Sequence, residues 1–112
     1  MTYKAFTDAL AAQIKGSTMG SKFKSGFFNL GLPGTLYPCV TLDGITDLND
    51  KLGKHTAVIT FWNKDTSLQF LDDAQTFKKI LQSAGVEVIT AAHRPSATQE
   101  INKMVYVVSF YP

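Results

Sequence analysis

The sequence predicts an α+β protein: a mainly antiparallel sheet of about four strands with two helices packed on one face. Three observations carry this. Apolar residues recur at helical spacing in two segments, once through Tyr3, Phe6, Leu10 and Ile14 and again through Phe70, Ala74, Phe77, Leu81 and Ala84. Four runs rich in β-branched and aromatic residues alternate between two faces, two before the second helical segment and two after it. Turn residues separate them. The expected order is helix, arm, two strands, helix, two strands. At 112 residues, 45% hydrophobic and 18% charged, the chain has the size and balance of one globular domain spanning 1–112.

The first helix is expected from Thr2 to about Lys15, with Thr2 as its N-cap and Gly16 ending the apolar stripe. Residues 16–34 differ in kind. They hold Gly16, Gly20, Gly26, Gly31 and Gly34, with Lys22, Lys24 and the pair Phe27-Phe28. Fixing so much glycine costs chain entropy, so a long loop or loose hairpin is expected, an arm carrying Phe27, Phe28, Leu30 and Leu32. The first strand spans Leu36 to Leu42, with Leu36, Val40 and Leu42 opposite Tyr37, Cys39 and Thr41. Pro38 lacks a ladder donor and belongs at a strand start or on an edge.

Gly44 to Gly53, with Asp47 and Asp50, reads as a turn. Thr56 to Trp62 sets Ala57, Ile59 and Phe61 against Val58, Thr60 and Trp62. The second helix is expected from about Thr66 to Ala84. Asp65 would cap it, Asp72-Asp73 and Lys78-Lys79 follow the order the helix dipole favours, and Gly85 supplies the stop. Val86 to Ala92 is a strand ended by His93-Arg94-Pro95. Met104 to Tyr111 is the strongest strand, with Met104, Tyr106, Val108 and Phe110 on one face and Val105, Val107 and Tyr111 on the other. Apolar residues on both faces mark a central strand, or one whose outer face meets a partner.

No motif announces a reaction. The net charge of +2 is too small to argue for nucleic acid by itself. It is uneven, however: residues 1–35 carry four lysines and Asp8, and residues 36–112 carry seven basic and eight acidic groups. Lys15, Lys22 and Lys24 interleave with Phe23, Phe27 and Phe28, a pattern that would suit single-stranded nucleic acid. Without an RNA-binding signature, the simpler reading is an arm with an apolar contact strip. The run Gly16 to Lys22 fails as a phosphate loop, because three residues separate its glycines, Ser21 precedes Lys22, and a helix lies in front; a flexible segment is expected there.

The lone Cys39 excludes an internal disulfide and a multi-cysteine zinc site. Pairing with His55 or His93 as nucleophile and base has no activating signature, so Cys39 reads as a small buried hydrophobe. Asp72 and Asp73 diverge by about 100° on a helix and read as a solvated face. No run is long enough to span a membrane, and no secretion signal is evident. The expectation is a soluble protein made inside the cell, not an enzyme, with no cofactor and no metal.

The short helix Tyr3–Ile14, the strand Tyr37-Pro38-Cys39-Val40-Thr41-Leu42, the strand Ala57–Trp62, the helix Leu68–Ala84 and the strand Val105–Tyr111 together resemble lambda-type tail terminator or tail-completion proteins of tailed bacteriophages. The resemblance spans nearly the whole chain. It implies a noncatalytic virion protein of the tail or neck, made in the host cytoplasm, that forms a ring, commonly a hexamer. Such a ring caps the tail tube, ends its growth and meets the head connector or neck protein, with nucleic acid present only as passing DNA. A ring needs a heterologous patch on each subunit. The candidate interface residues are Lys22, Lys24, Phe27, Phe28, Leu30 and Leu32 in the arm and Val105, Val107 and Tyr111 at the terminal strand. The alternatives are another head–tail connector or minor capsid component, or a small ferredoxin-like binding module or enzyme. An enzyme would need convergent polar groups in a concave site, where the strand alternation supplies mainly aliphatic and aromatic side chains.

Overall fold

The computed structural model describes residues 2–19, 37–95 and 101–112, and the backbone of 29–30. In chain order the elements are α1 (Tyr3–Lys15), β1 (Asn29–Leu30), β2 (Cys39–Asp47), β3 (His55–Asn63), α2 (Gln69–Ser83), β4 (Glu87–His93) and β5 (Asn102–Phe110). Strands β2, β3, β5 and β4 lie side by side in that spatial order, each antiparallel to its neighbour. The α+β class and the element order are those the sequence predicts. β5 sits between β3 and β4, the central position its two apolar faces require.

Both helices bury their stripes against the same sheet face. Register places Val40 opposite Phe61, Leu42 opposite Ile59, Ile59 opposite Tyr106, and Ala57 opposite Val108. These join Leu10 and Ile14 of α1 and Phe70, Phe77 and Leu81 of α2 in one core. Phe6 stacks on Phe110 with centroids 4.4 Å apart, and Phe61 contacts both Phe70 and Phe77 at 5.5 Å. Tyr106 donates its hydroxyl proton to the Ala74 carbonyl at 2.6 Å, tying β5 to α2 from inside the core.

Helix α1 begins as expected: the Thr2 hydroxyl accepts from the Ala5 N–H at 3.1 Å. The residues after it are less loose than expected. The Ser17 hydroxyl donates to the Ile14 carbonyl and accepts from the Met19 N–H, and Met19 is buried in the core. Its apolar side chain outweighs the permissive glycine at 16 and holds 16–19 to the helix end. Beyond it, Asn29–Leu30 lies parallel to Thr41–Leu42, so this part of the arm is extended but does not form a hairpin with β2.

Three further expectations are corrected. β2 runs to Asp47 and so takes in the first part of the expected turn. A register shift between Asp43 and Thr46, with Gly44 at φ +59°, lets the strand continue through a bulge. The turn itself is confined to 48–54, where Asp50 Oδ1 accepts from the Leu52 and Lys54 N–H groups and Asp47 Oδ1 accepts from Asn49. Asp65 does not cap α2. It accepts from both the N–H and hydroxyl of Ser67, a local turn that uses its oxygen before the helix starts at Gln69. Finally, Asp72 is exposed, but Asp73 is buried beside Phe70, Ala74 and Phe77 on the inward side of α2 and accepts from Gln69 Nε2 at 3.0 Å.

Candidate interaction surfaces

The groups considered for nucleophilic chemistry are not brought together. In the β2–β3 ladder Cys39 lies opposite Trp62 while His55 lies opposite Asp47, at the other end of the hairpin. His93 is on β4, three strand spacings from β2, or about 14 Å across the sheet. Each has a structural setting of its own. Cys39 is fully buried. The His55 ring packs against Tyr3 and Phe110, with Nδ1 2.9 Å from the Gly53 carbonyl and Nε2 3.6 Å from Asp47 Oδ2. His93 Nε2 is 2.9 Å from Asn102 Oδ1, and Asn102 Nδ2 donates to the Asp65 carbonyl at 2.7 Å, so the three residues lace the end of the sheet to the loop before α2. Burial raises the Tyr106 phenol well above its ordinary value, which keeps it a hydrogen-bond donor.

Val105 and Val107 fall half-buried on the sheet face away from the helices, opposite Thr60 and Val58 of β3. Tyr111 follows the last strand residue and leaves that alternation. It is exposed and lines a hollow of about 190 Å³ with Phe6, Leu10, Gln13, Gly85 and Phe110, on the helix side. Lys22, Lys24, Phe27, Phe28 and Leu32 lie outside the described residues, and of Leu30 only the backbone is placed, in β1.

Two features were not read from the sequence. The first is charge polarity along the strands. Toward the β2–β3 turn lie Asp43, Asp47, Asp50 and Glu87 against Lys51 and Lys54. The opposite end holds Lys64, Arg94 and Lys103 against Asp65. There Lys103 Nζ stands 5.0 Å from the Trp62 ring centre and Lys64 Nζ 5.3 Å from that of Tyr37. Summing charge by halves of the chain conceals this, whereas sorting it by strand end reveals it. The second feature is the β4 edge. Five of its seven residues are exposed, and beside it α2 and the sheet leave a hollow of about 300 Å³ lined by Leu71, Ala74, Lys78, Ala91, Met104 and Tyr106.

No family model matches the sequence, and no curated protein matches it. The elements define an α+β protein with both helices on one face of an antiparallel sheet. In that architecture it is similar to a chain in a solved structure of the virion of a native gene transfer agent particle. The TM-score is 0.54 at 16% sequence identity, covering 96% of this chain and 96% of that one. At that identity the likeness is one of fold.

Proposed function

We propose that this chain is a noncatalytic structural protein of a phage-like particle, acting at the tail or neck. In this reading its subunits form a ring that caps the tail tube, ends tube growth and presents a surface to the head connector. The observation that carries the proposal is the fold likeness to a chain of a gene transfer agent virion over nearly the full length of both chains. The layout supports it. Core formation consumes the helix-facing side of the sheet, while half-buried Val105 and Val107 on the outer face and exposed Tyr111 are left as contact groups beyond the needs of folding.

The test is to add purified protein to tail tubes polymerised from their own subunits and to image them. The expected result is a ring at one end of each tube and a halt in elongation at stoichiometric protein. Tubes that keep growing and carry no added density at their ends would overturn the tail-tube role.

A further inference from the structure

Strand β4 stands at the margin of the sheet: β5 pairs with one side, and among the described residues no strand pairs with the other. An edge strand presents a row of backbone N–H and C=O groups, which proteins commonly guard with lysine, proline, an inward charge or a bulge. Glu87–His93 contains neither lysine nor proline, and Val88 to Ala92 is uncharged. Its one irregularity is the bulge between Val88 and Thr90. Next to it Ile89 and Leu71 remain 53% and 39% exposed. The bulge guards only the start of β4, and the regular run Thr90 to His93 beyond it leaves its outer backbone groups open to another strand.

Charge selects which strand. We propose that β4 pairs with β4 of a second copy of this chain, antiparallel about a two-fold axis near Ala91. Thr90 and Ala92 are both on the outer face of the sheet, opposite Val107 and Val105, so pairing centred on Ala91 sets Thr90 of one copy against Ala92 of the other without breaking the pleat. Small alanines at the axis allow close approach. The two α2 hollows then meet across it, each offering Leu71 to the other. The reversal sets Glu87 of one copy within one position of Arg94 of the other, twice, and lays the acidic end of each sheet beside the basic end of its mate. The competing arrangement continues the sheet head to tail, with β4 of one copy against the Asp43–Asp47 end of β2 in the next, the part of that strand that β1 does not pair with. Its strands are also antiparallel, but it aligns Glu87 with Asp43 and Asp47, like charge against like. The pairing does not depend on the tail role and leaves the outer face and α1 free for other contacts.

Sedimentation velocity on the full chain, from micromolar to near-millimolar concentration, provides the test. The expected result is a monomer–dimer equilibrium in the wild type. Glu87→Arg alone or Arg94→Glu alone should weaken the dimer by about tenfold or more, and the double exchange should restore it. Both positions are exposed, and circular dichroism checks that each variant is folded. Ile89→Lys with Ala91→Lys should give a folded monomer, and if that pair fails to fold, the charge exchange decides alone. A wild type that stays monomeric throughout overturns the pairing, as does a double exchange that fails to restore it. Tighter association of Glu87→Arg overturns it in favour of the head-to-tail arrangement. A strict monomer that still caps tubes would remove this pairing and leave the proposed function standing. A dimer indifferent to tubes would do the reverse.

Discussion

The two faces of the sheet are built from the same strands but do different work. On the helix side Val40, Leu42, Ala57, Ile59, Phe61, Tyr106, Val108 and Phe110 are all at most 3% exposed. On the other side Val58, Trp62, Val105 and Val107 are half-buried, and the buried positions among them belong to small or polar residues, Cys39, Thr41, Thr60 and Ser109. The first face is closed by large side chains that interlock with two helices. The second is held by local polar bonds such as Trp62 Nε1 to Thr41 Oγ1 at 2.9 Å and Ser109 Oγ to Glu87 at 3.2 Å. The contrast teaches that stability is concentrated on one side of β3 and β5, so substitutions on the other side can probe contacts without dismantling the core.

The largest effect should come from the helix side. Phe61 is fully buried between Phe70 and Phe77. Phe61→Ala should cost about 3–5 kcal/mol, the transfer energy of the ring plus the cavity it leaves. Denaturant unfolding measures this. A loss below about 1 kcal/mol would mean that the helices do not clamp this face. A matched pair sharpens the comparison further. Val107 and Val108 are neighbours on opposite faces, half-buried and fully buried respectively. The same change to Thr should cost about 1–3 kcal/mol at 108, where it buries a hydroxyl, and within about 0.5 kcal/mol at 107. Equal costs at the two positions would break the comparison.

Tyr106 comes next. Removing its hydroxyl in Tyr106→Phe deletes the bond to the Ala74 carbonyl and should cost about 1 kcal/mol. Its pH signature is more diagnostic. Burial raises the folded-state pKa above the ordinary 10.0, so above pH 10 the unfolded chain has released a proton that the folded chain retains. Stability therefore falls as pH rises beyond that point. Tyr106→Phe should lose this part of the alkaline decline, read as the difference between the two stability–pH curves. Parallel curves above pH 10 would show that the phenol is not held protonated in the core.

Much of this architecture is legible because burial writes periodicity into sequence. The recurrence of Phe6, Leu10 and Ile14 every four residues, and the alternation of Tyr106, Val108 and Phe110, report the helix face directly. Misreadings occur where one local signal is compatible with two structures. Asp65 could cap α2 but instead closes a turn on Ser67, and sequence does not rank the two bonds. Gly44 reads as a turn residue although it serves a bulge inside β2. Asp73 reads as solvated because its charge favours water, although the same 100° that separates it from Asp72 turns it toward Phe70 and Phe77. The surfaces are harder still. The β4 edge depends on which strand lies last in the sheet, and the charge polarity on which strand ends meet, and neither relation is local in the chain.

The finest probe of the outer face lies at Thr41 and Trp62. Thr41 is buried and accepts the indole N–H, while Lys103 stands over the ring from the next strand. Thr41→Val keeps the β-branched shape but removes the acceptor. Because Trp62 is only half-buried, water can take the place of the hydroxyl, and the expected cost is about 0.5–1 kcal/mol. As the chain's single tryptophan, Trp62 also reports by fluorescence. Its emission should move to longer wavelength in Thr41→Val as water replaces the threonine oxygen. If the outer face is the side that meets a tube or a ring neighbour, wild-type emission should move to shorter wavelength on assembly, since Trp62 shares that face with Val105 and Val107. Unchanged emission on formed rings would place the contact elsewhere, and a cost above about 2 kcal/mol for Thr41→Val would show that this face, too, is part of the stabilising core.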